Sequence, residues 1–183
     1  MRLVIITVPS PLGDWLAVAD EAAPEPAQPE GTYSGAVRMC ALVSQERQSS
    51  HALARLTAQE SAALVAADDG RHPVARALAA YFSGDVRALE AFACLQPGSA
   101  FQQSTWQAMR AIQPGGPRSY AALAAATGRA TAVRAVASVC AVNRIPLFIP
   151  CHRVVRSDGS IGEYYLGSDA KALLLAHERD ATG

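Results

Sequence analysis

The sequence predicts an α/β N-terminal module with a short sheet, followed by a mainly α-helical C-terminal domain with a helix-turn-helix. Apolar segments with β-branched residues and strand length fall in the first half of the chain, whereas segments of helical length dominate the second half. A stretch with Pro97 and Gly98 lies between the halves, so we expect domains at residues 1–92 and 93–183.

Two strands and two helices are predicted in the N-terminal domain. Residues 3–8 and 36–43 have the apolar, β-branched character of strands, and the proline-rich segment between them favours a surface loop. Residues 52–66 carry Ala and Leu at helical spacing, and residues 73–82 begin with a proline, which suits the first turn of a helix. We find no catalytic group of residues here and expect a scaffold.

Four helices are predicted in the C-terminal domain, at residues 101–112, 120–126, 132–142 and 170–178. Trp106 belongs to the apolar stripe of the first, and we expect it to pack in the core. Ser119 is a suitable cap for the second helix, and a turn with Gly128 leads to the third. Two short helices joined by a tight turn have the form of a helix-turn-helix.

The charge of the chain is unevenly distributed although its net value is zero. Residues 1–100 carry 7 Arg and 11 acidic residues, whereas residues 101–183 carry 8 Arg, 1 Lys and 5 acidic residues. A basic C-terminal half suits binding to phosphate groups. No apolar run approaches the roughly 18 residues of a membrane span, so we expect no membrane association.

The chain has four cysteines, which lie far apart and form no Cys-x-x-Cys pair: Cys40, Cys94, Cys140 and Cys151. Together with a start too short for a secretory signal, this spacing favours reduced thiols and a cytoplasmic location. Cys40, His51 and His72 could meet as a metal site. Their spacing lacks the close ligand pairs of zinc sites, however, and we expect no metal.

The segment 145–155 places a cysteine beside a histidine at the end of an apolar run. Pro150 has no N–H and restricts the residue before it, so the run cannot continue there as a strand or a helix. A thiol at such a break, next to an imidazole, is a candidate nucleophile because the thiolate is the reactive form. Single cysteines are more often inert packing, so the Cys-His pair alone leaves both interpretations open.

The residues around this pair resemble the active-site signature of the O6-alkylguanine-DNA alkyltransferases. Pro150-Cys151-His152-Arg153-Val154 matches the signature, and the resemblance runs without a gap from about Phe101 to Glu178. It includes Ser119-Tyr120, Arg134-Ala135-Val136, Asn143, Gly162, Tyr164 and His177-Glu178. The residues up to about position 92 match only in general pattern.

The resemblance implies direct DNA repair, in which an alkyl group on O6 of guanine passes to Cys151 in a single turnover without a cofactor. His152 would take the thiol proton through a water molecule, and Glu178 would orient the imidazole. Asn143 would join this hydrogen-bond network. Tyr120 would donate to the departing guanine.

The implied partner is double-stranded DNA that contains O6-alkylguanine, bound through its minor groove by a monomer. Arg134 would fill the space of the flipped nucleotide, Tyr120 would lie at its phosphate, and Ser119 and Ala135 would contact the duplex. The resemblance assigns a substrate pocket to Pro146, Val154, Tyr164, Tyr165 and Gly162.

Three residues depart from the pattern of the family. Tyr165 stands where some members have serine, Glu163 brings negative charge to a loop that faces DNA, and Arg144 stands where many members have proline. Two other functions compete. A non-catalytic alkyltransferase-like protein would lack Cys151, and a cysteine hydrolase would have no use for Arg134.

Overall fold

The structure is a computed structural model that describes residues 2–21, 35–43, 53–67 and 71–183, with the backbone alone for residues 65–67. The predicted proline-rich loop and His51 lie outside these residues. The chain divides into two compact units, residues 1–96 and residues 97–183. In the described ranges, no helix has the length and apolar character needed to cross a membrane.

The first unit is built on a five-stranded mixed sheet. Its strands are β1 (Leu3–Val8), β2 (Asp14–Asp20), β3 (Ala36–Val43), β4 (Leu64–Ala67) and β5 (Ala93–Cys94), in the order β4-β1-β2-β3-β5. The central pairs β1–β2 and β2–β3 are antiparallel, whereas β4 and β5 pair in parallel at the two edges. The sequence analysis predicted β1 and β3 but not the strand between them.

The helix predicted at residues 52–66 is wrong at residues 54–57, which form a turn and a cap, and at residues 64–66, which belong to a strand. A short helix, α1 (Ala58–Ala62), begins with a capping box between Thr57 and Glu60, and the chain then enters β4. Pairing of β4 with β1 satisfies its backbone groups and so overrides the helical preference of an Ala-rich segment. The helix predicted at residues 73–82 is confirmed as α2 (Pro73–Phe82).

Both faces of the sheet are buried. One face carries an apolar cluster whose members alternate along the strands, as the two-residue period of a strand requires: Leu3, Leu16, Val18, Met39, Ala41, Val43 and Leu56. On the other face Trp15 lies near Phe82 of α2, with ring centroids 6.0 Å apart. His72 caps α2 by accepting from the Val74 N–H, so its imidazole has a structural role.

The second unit contains four helices and a minimal sheet. The helices are α3 (Ala100–Arg110), α4 (Tyr120–Ala126), α5 (Val133–Ala141) and α6 (Ser168–Thr182). The strands β6 (Arg118–Ser119) and β7 (Val154–Val155) pair in parallel, and neither was predicted. This pairing fixes the start of α4 beside the residues that follow the Cys-His pair. Trp106 is 3% exposed and donates to the Val139 carbonyl, which confirms its packing role.

Replacing Leu3 with alanine should destabilise the first unit. Leu3 is fully buried in the apolar cluster. We therefore expect a loss of about 2–5 kcal/mol in the free energy of unfolding, because the change removes apolar contacts and leaves a cavity. Urea unfolding followed by circular dichroism measures this loss. The control is Leu95→Ala, at a side chain that is 50% exposed in the same unit, and equal losses for the two variants would contradict the assignment.

Candidate active site

Cys151 lies at the start of a short 3-10 turn, Cys151–Arg153, which follows the apolar segment. Pro150 ends the preceding segment, and its carbonyl accepts from the Arg153 N–H at 3.0 Å. The Cys151 N–H donates to the Ile149 carbonyl at 2.8 Å. Cys151 is 5% exposed. The chain breaks at the proline as predicted, and backbone hydrogen bonds fix the turn that carries the Cys151 thiol.

Asn143 holds the sulfur and the segment before it. Its Nδ2 donates to the Ile149 carbonyl at 2.8 Å and to Cys151 Sγ at 3.2 Å, and its Oδ1 accepts from the Ile145 N–H at 3.1 Å. The residue is 2% exposed, so these bonds replace water. A hydrogen bond donated to sulfur favours the thiolate, because the negative form is the better acceptor.

His152 and Glu178 form a fully buried pair, with Nε2 of the imidazole 2.9 Å from Oε1 of the carboxylate. An ionised carboxylate only accepts, so we assign the imidazole hydrogen to Nε2. Nδ1 then keeps its lone pair, and no described residue forms a hydrogen bond with it. The pair thus presents a base whose tautomer is set by Glu178.

Arg153 also binds Glu178, a contact that the sequence analysis did not assign. Its guanidinium donates to both carboxylate oxygens at distances of 2.8 to 3.1 Å, and its Nη1 donates to the Ile112 carbonyl at 2.6 Å. Burial alone would raise the pKa of Glu178, but the hydrogen bonds and charges of His152 and Arg153 outweigh it and lower the pKa to about 2. Glu178 is therefore ionised at neutral pH.

The reactive groups are neutral at rest. Burial raises the pKa of the Cys151 thiol, and the bond from Asn143 and the charge of Lys171 oppose this rise. Burial lowers the pKa of His152, against the raising effect of Glu178. A protonated thiol beside a neutral imidazole needs a proton transfer before sulfur can attack, and Nδ1 is available to receive that proton.

Lys171 is a further buried group at this site. It is fully buried, and its Nζ donates to the Val154 carbonyl at 2.6 Å. Nζ also lies 5.9 Å from the ring centroid of Tyr120 and 6.0 Å from that of Tyr164. Lys171 is the one lysine among 16 basic residues, a signal that composition already contained. Lys171 thus lies beside two rings at the cavity, and its charge acts on the Cys151 thiol.

A cavity of about 260 Å³ opens at Cys151. Its lining combines residues of α5, the start of α4 and the loop after Gly162: Tyr120, Ala137, Cys140, Ala141, Cys151, Glu163, Tyr164 and Tyr165. Tyr164 and Tyr165 were assigned to the pocket from the sequence. Pro146 and Val154 are buried and lie outside this lining, and Gly162 immediately precedes it. The α5 residues recur at helical spacing, a pattern that could have indicated them.

The residues assigned to DNA binding lie on α4 and α5. Ser119 caps α4, with its Oγ accepting from the Ala122 N–H at 3.1 Å, and Tyr120 begins the helix. Arg134 and Ala135 are exposed in the first turn of α5. Tyr120 thus both begins α4 and lines the cavity, whereas Arg134 is exposed to solvent in the first turn of α5.

The comparison with known proteins identifies relatives of the second unit. A family model described as "6-O-methylguanine DNA methyltransferase, DNA binding domain" matches residues 100–180. The bifunctional transcriptional activator/DNA repair enzyme Ada of Escherichia coli (strain K12) is 53% identical over 83 residues, which are 45% of this chain and 23% of that protein. The constitutive methylated-DNA–protein-cysteine methyltransferase of Bacillus subtilis (strain 168) is 44% identical over 101 residues, which are 54% of this chain and 60% of that protein. The chain thus spans less than two thirds of either relative.

Two solved structures resemble the whole chain. A crystal structure of Mycobacterium tuberculosis OGT in complex with DNA matches with a TM-score of 0.69 and 25% identity, and covers 97% of this chain and 94% of that chain. A crystal structure of the O6-methylguanine methyltransferase from the same organism matches with a TM-score of 0.70 and 23% identity, and covers 98% and 94%. The second likeness, at the lower identity, concerns the fold.

Replacing Glu178 with glutamine should remove part of the acid sensitivity of the second unit. The pKa of Glu178 is about 2 in the folded protein, against about 4.3 in an unfolded chain. The unfolded state therefore binds more protons as the pH falls through this window. In the wild type, Glu178 should contribute roughly 3 kcal/mol to the free energy of unfolding. This contribution is fully present above the unfolded-state pKa and is lost as the pH falls to the folded-state pKa.

Urea unfolding at a series of pH values measures this dependence. Glu178→Gln should be less stable than the wild type at neutral pH, by about 3–5 kcal/mol, because it leaves the buried Arg153 without its carboxylate. Its stability should also vary less between the two pKa values. Asp180→Asn is the control on the same helix, since Asp180 is exposed. An unchanged pH slope in Glu178→Gln would contradict the assignment.

Proposed function

We propose that the protein repairs DNA by transferring an alkyl group from O6 of guanine to Cys151, because residues 100–180 match a model of the 6-O-methylguanine DNA methyltransferase DNA-binding domain. One observation carries the proposal. The cavity at Cys151 is backed by a buried imidazole–carboxylate pair and by an asparagine bonded to the sulfur. These groups can accept the proton of the thiol and stabilise the resulting thiolate beside a bound base.

The proposed reaction is a displacement at the alkyl carbon. The Cys151 thiol gives its proton to His152 Nδ1 through a water molecule, because no hydrogen bond joins Nδ1 directly to the sulfur. The thiolate then forms the S–C bond while the C–O6 bond breaks. The electron pair of the broken C–O6 bond passes to O6 of the guanine. Glu178 stabilises the imidazolium that results. Asn143 holds the sulfur in place throughout.

The departing guanine must gain a proton or hydrogen bonds as it takes up charge. Burial raises the pKa of Tyr120 to about 12, so its hydroxyl remains protonated at neutral pH and can donate. Lys171 lies by the same ring and supplies a positive charge close to the developing anion. The carbonyl of Val154 accepts from Lys171, and this bond fixes the ammonium group.

The product is a thioether, which has no easy route back to a thiol. Each molecule therefore acts once, and the protein is consumed in the repair. The expected partner is double-stranded DNA that contains O6-alkylguanine, bound by a monomer. The free cysteines fit a reducing compartment such as the cytoplasm. The first unit serves as a scaffold, and the second, residues 97–183, carries out binding and chemistry.

The DNA-binding element is α4 and α5, which we propose to act as a helix-turn-helix that enters the minor groove. An alkylated base cannot reach Cys151 while stacked, so the nucleotide must be flipped into the cavity. Exposed Arg134 would occupy the space it leaves, and Tyr120 would lie by its phosphate. Ser119 and Ala135 would contact the duplex at the starts of the two helices.

Incubation with duplex DNA that carries O6-methylguanine tests the proposed reaction. The wild type should gain one methyl group per molecule, located at Cys151 by mass spectrometry of its peptides, while the DNA regains guanine. Cys151→Ala should gain none, and Cys140→Ala is the matched control at a second cysteine of the cavity. Binding without transfer by the wild type, or repeated turnover, would contradict the proposal.

Replacing Arg134 with alanine tests base flipping. Transfer from duplex DNA should slow by roughly ten- to a hundredfold, since unstacking and unpairing a base costs a few kcal/mol. Transfer from a single strand should change little, because its bases need no replacement in a stack. Single-turnover rates on the two substrates measure the difference. Arg179→Ala, an exposed arginine at the end of α6, is the control. Equal slowing on both substrates would rule out the wedge.

A further inference from the structure

Arg156 is an exposed arginine whose side chain lies over the loop that lines the cavity. It follows β7 directly, and a Cβ placed on Gly162 would lie 3.4 Å from its Cγ and 3.5 Å from its Nε. Gly162 has φ +71°, a value that favours glycine. The next three residues, Glu163 to Tyr165, all line the cavity. The stem of Arg156 therefore rests on the first residue of this loop.

A closed turn fixes the backbone from which this side chain projects. The Arg156 N–H donates to the Ser160 carbonyl at 2.9 Å, and the Arg156 carbonyl accepts from the Gly159 N–H at 3.0 Å. Asp158 closes the turn further, because its carboxylate accepts from both the N–H and the hydroxyl of Ser160. The origin of the side chain is thus held while its guanidinium remains exposed.

The charge of Arg156 reaches the cavity. Burial is the main cause that raises the pKa of Tyr120, and the guanidinium of Arg156 opposes it. Arg156 also contributes to the lowered pKa of Lys171, after the larger effect of burial. Asp158 and Glu163 are the acidic residues of its own turn and loop, and both are exposed. Arg156 forms no ion pair with any carboxylate in the described part of the chain.

We propose that Arg156 binds a phosphate of the damaged DNA strand beside the flipped nucleotide. This inference rests on the proposed function and adds to it a contact that neither the signature nor the cavity lining contains. The planar guanidinium donates two parallel hydrogen bonds to phosphate oxygens. Because its stem lies on Gly162, the same contact presses the loop of Glu163 to Tyr165 towards the base. Arg156 would thereby link the binding of a phosphate to the closure of the cavity.

The salt dependence of DNA binding tests this contact. Each phosphate neutralised on duplex DNA adds about 0.9 to the slope of log affinity against log salt. Arg156→Ala should therefore lower the slope by about one and weaken binding to duplex DNA roughly tenfold at low salt. Arg156→Lys keeps the charge and should retain the slope of the wild type. Arg179→Ala, at an arginine of α6 already paired with Asp180, should change neither quantity.

Alkyl transfer from the free O6-alkylguanine base separates phosphate binding from chemistry. This substrate has no phosphate, so Arg156→Ala should slow transfer from dilute duplex DNA by a larger factor than it slows transfer from the free base. A wild-type slope in Arg156→Ala, or loss of slope in Arg156→Lys, overturns the proposal. An equal fall in rate on base and duplex also overturns it. If the wild type transfers nothing, the proposed function fails, whereas the salt slopes still decide the role of Arg156.

Discussion

The buried carboxylate of Glu178 is the group on which the arrangement of the second unit depends. It accepts hydrogen bonds from His152 and from Arg153, and Arg153 continues to the Ile112 carbonyl just beyond α3. A buried charge is tolerated only when it is paired and hydrogen-bonded. Loss of His152, Arg153 or Glu178 would therefore leave a buried polar group without its partner. One ionised side chain thus joins α6, the turn with Cys151 and the end of α3.

The remaining polar groups of the site are positioned by contacts that do not involve Glu178. The pairing of β6 with β7 places Tyr120 beside the residues that follow the 3-10 turn. Lys171 connects these segments, because its ammonium group donates to the Val154 carbonyl and lies close to the rings of Tyr120 and Tyr164. Asn143, just after α5, completes the enclosure of the sulfur. The site is therefore assembled from five separate stretches of the second unit: the start of α4, the residues after α5, the turn with Cys151, the loop with Tyr164, and α6.

Much of this could be predicted from the sequence where the chemistry is local. The residues Cys151 and His152 belong to a contiguous signature and Glu178 to the last helix, and a family model that describes a methyltransferase DNA-binding domain matches residues 100–180, which contain all three. The strands β6 and β7 have two residues each, too few for a periodic pattern. The Ala-rich segment that ends in β4 has helical spacing, and only its pairing partner reveals a strand. In the sequence, Arg153 and Lys171 cannot be told from solvent-exposed basic residues. Only the structure shows that they are buried.

Under the proposed function, in which Cys151 accepts one alkyl group, the burial of Cys151 also bears on which electrophiles can consume the protein. Reagents that alkylate DNA alkylate exposed thiolates in the same solution, and the thiolate is the form they consume. With its pKa raised by burial, the Cys151 sulfur rests as a thiol with 5% of the residue open to solvent. Diffusing alkylators thus meet a poor nucleophile, whereas a base seated in the cavity brings its carbon to the sulfur. If Cys151 is the acceptor, as proposed, the enclosure that makes its activation necessary also reserves it for a base bound in the cavity.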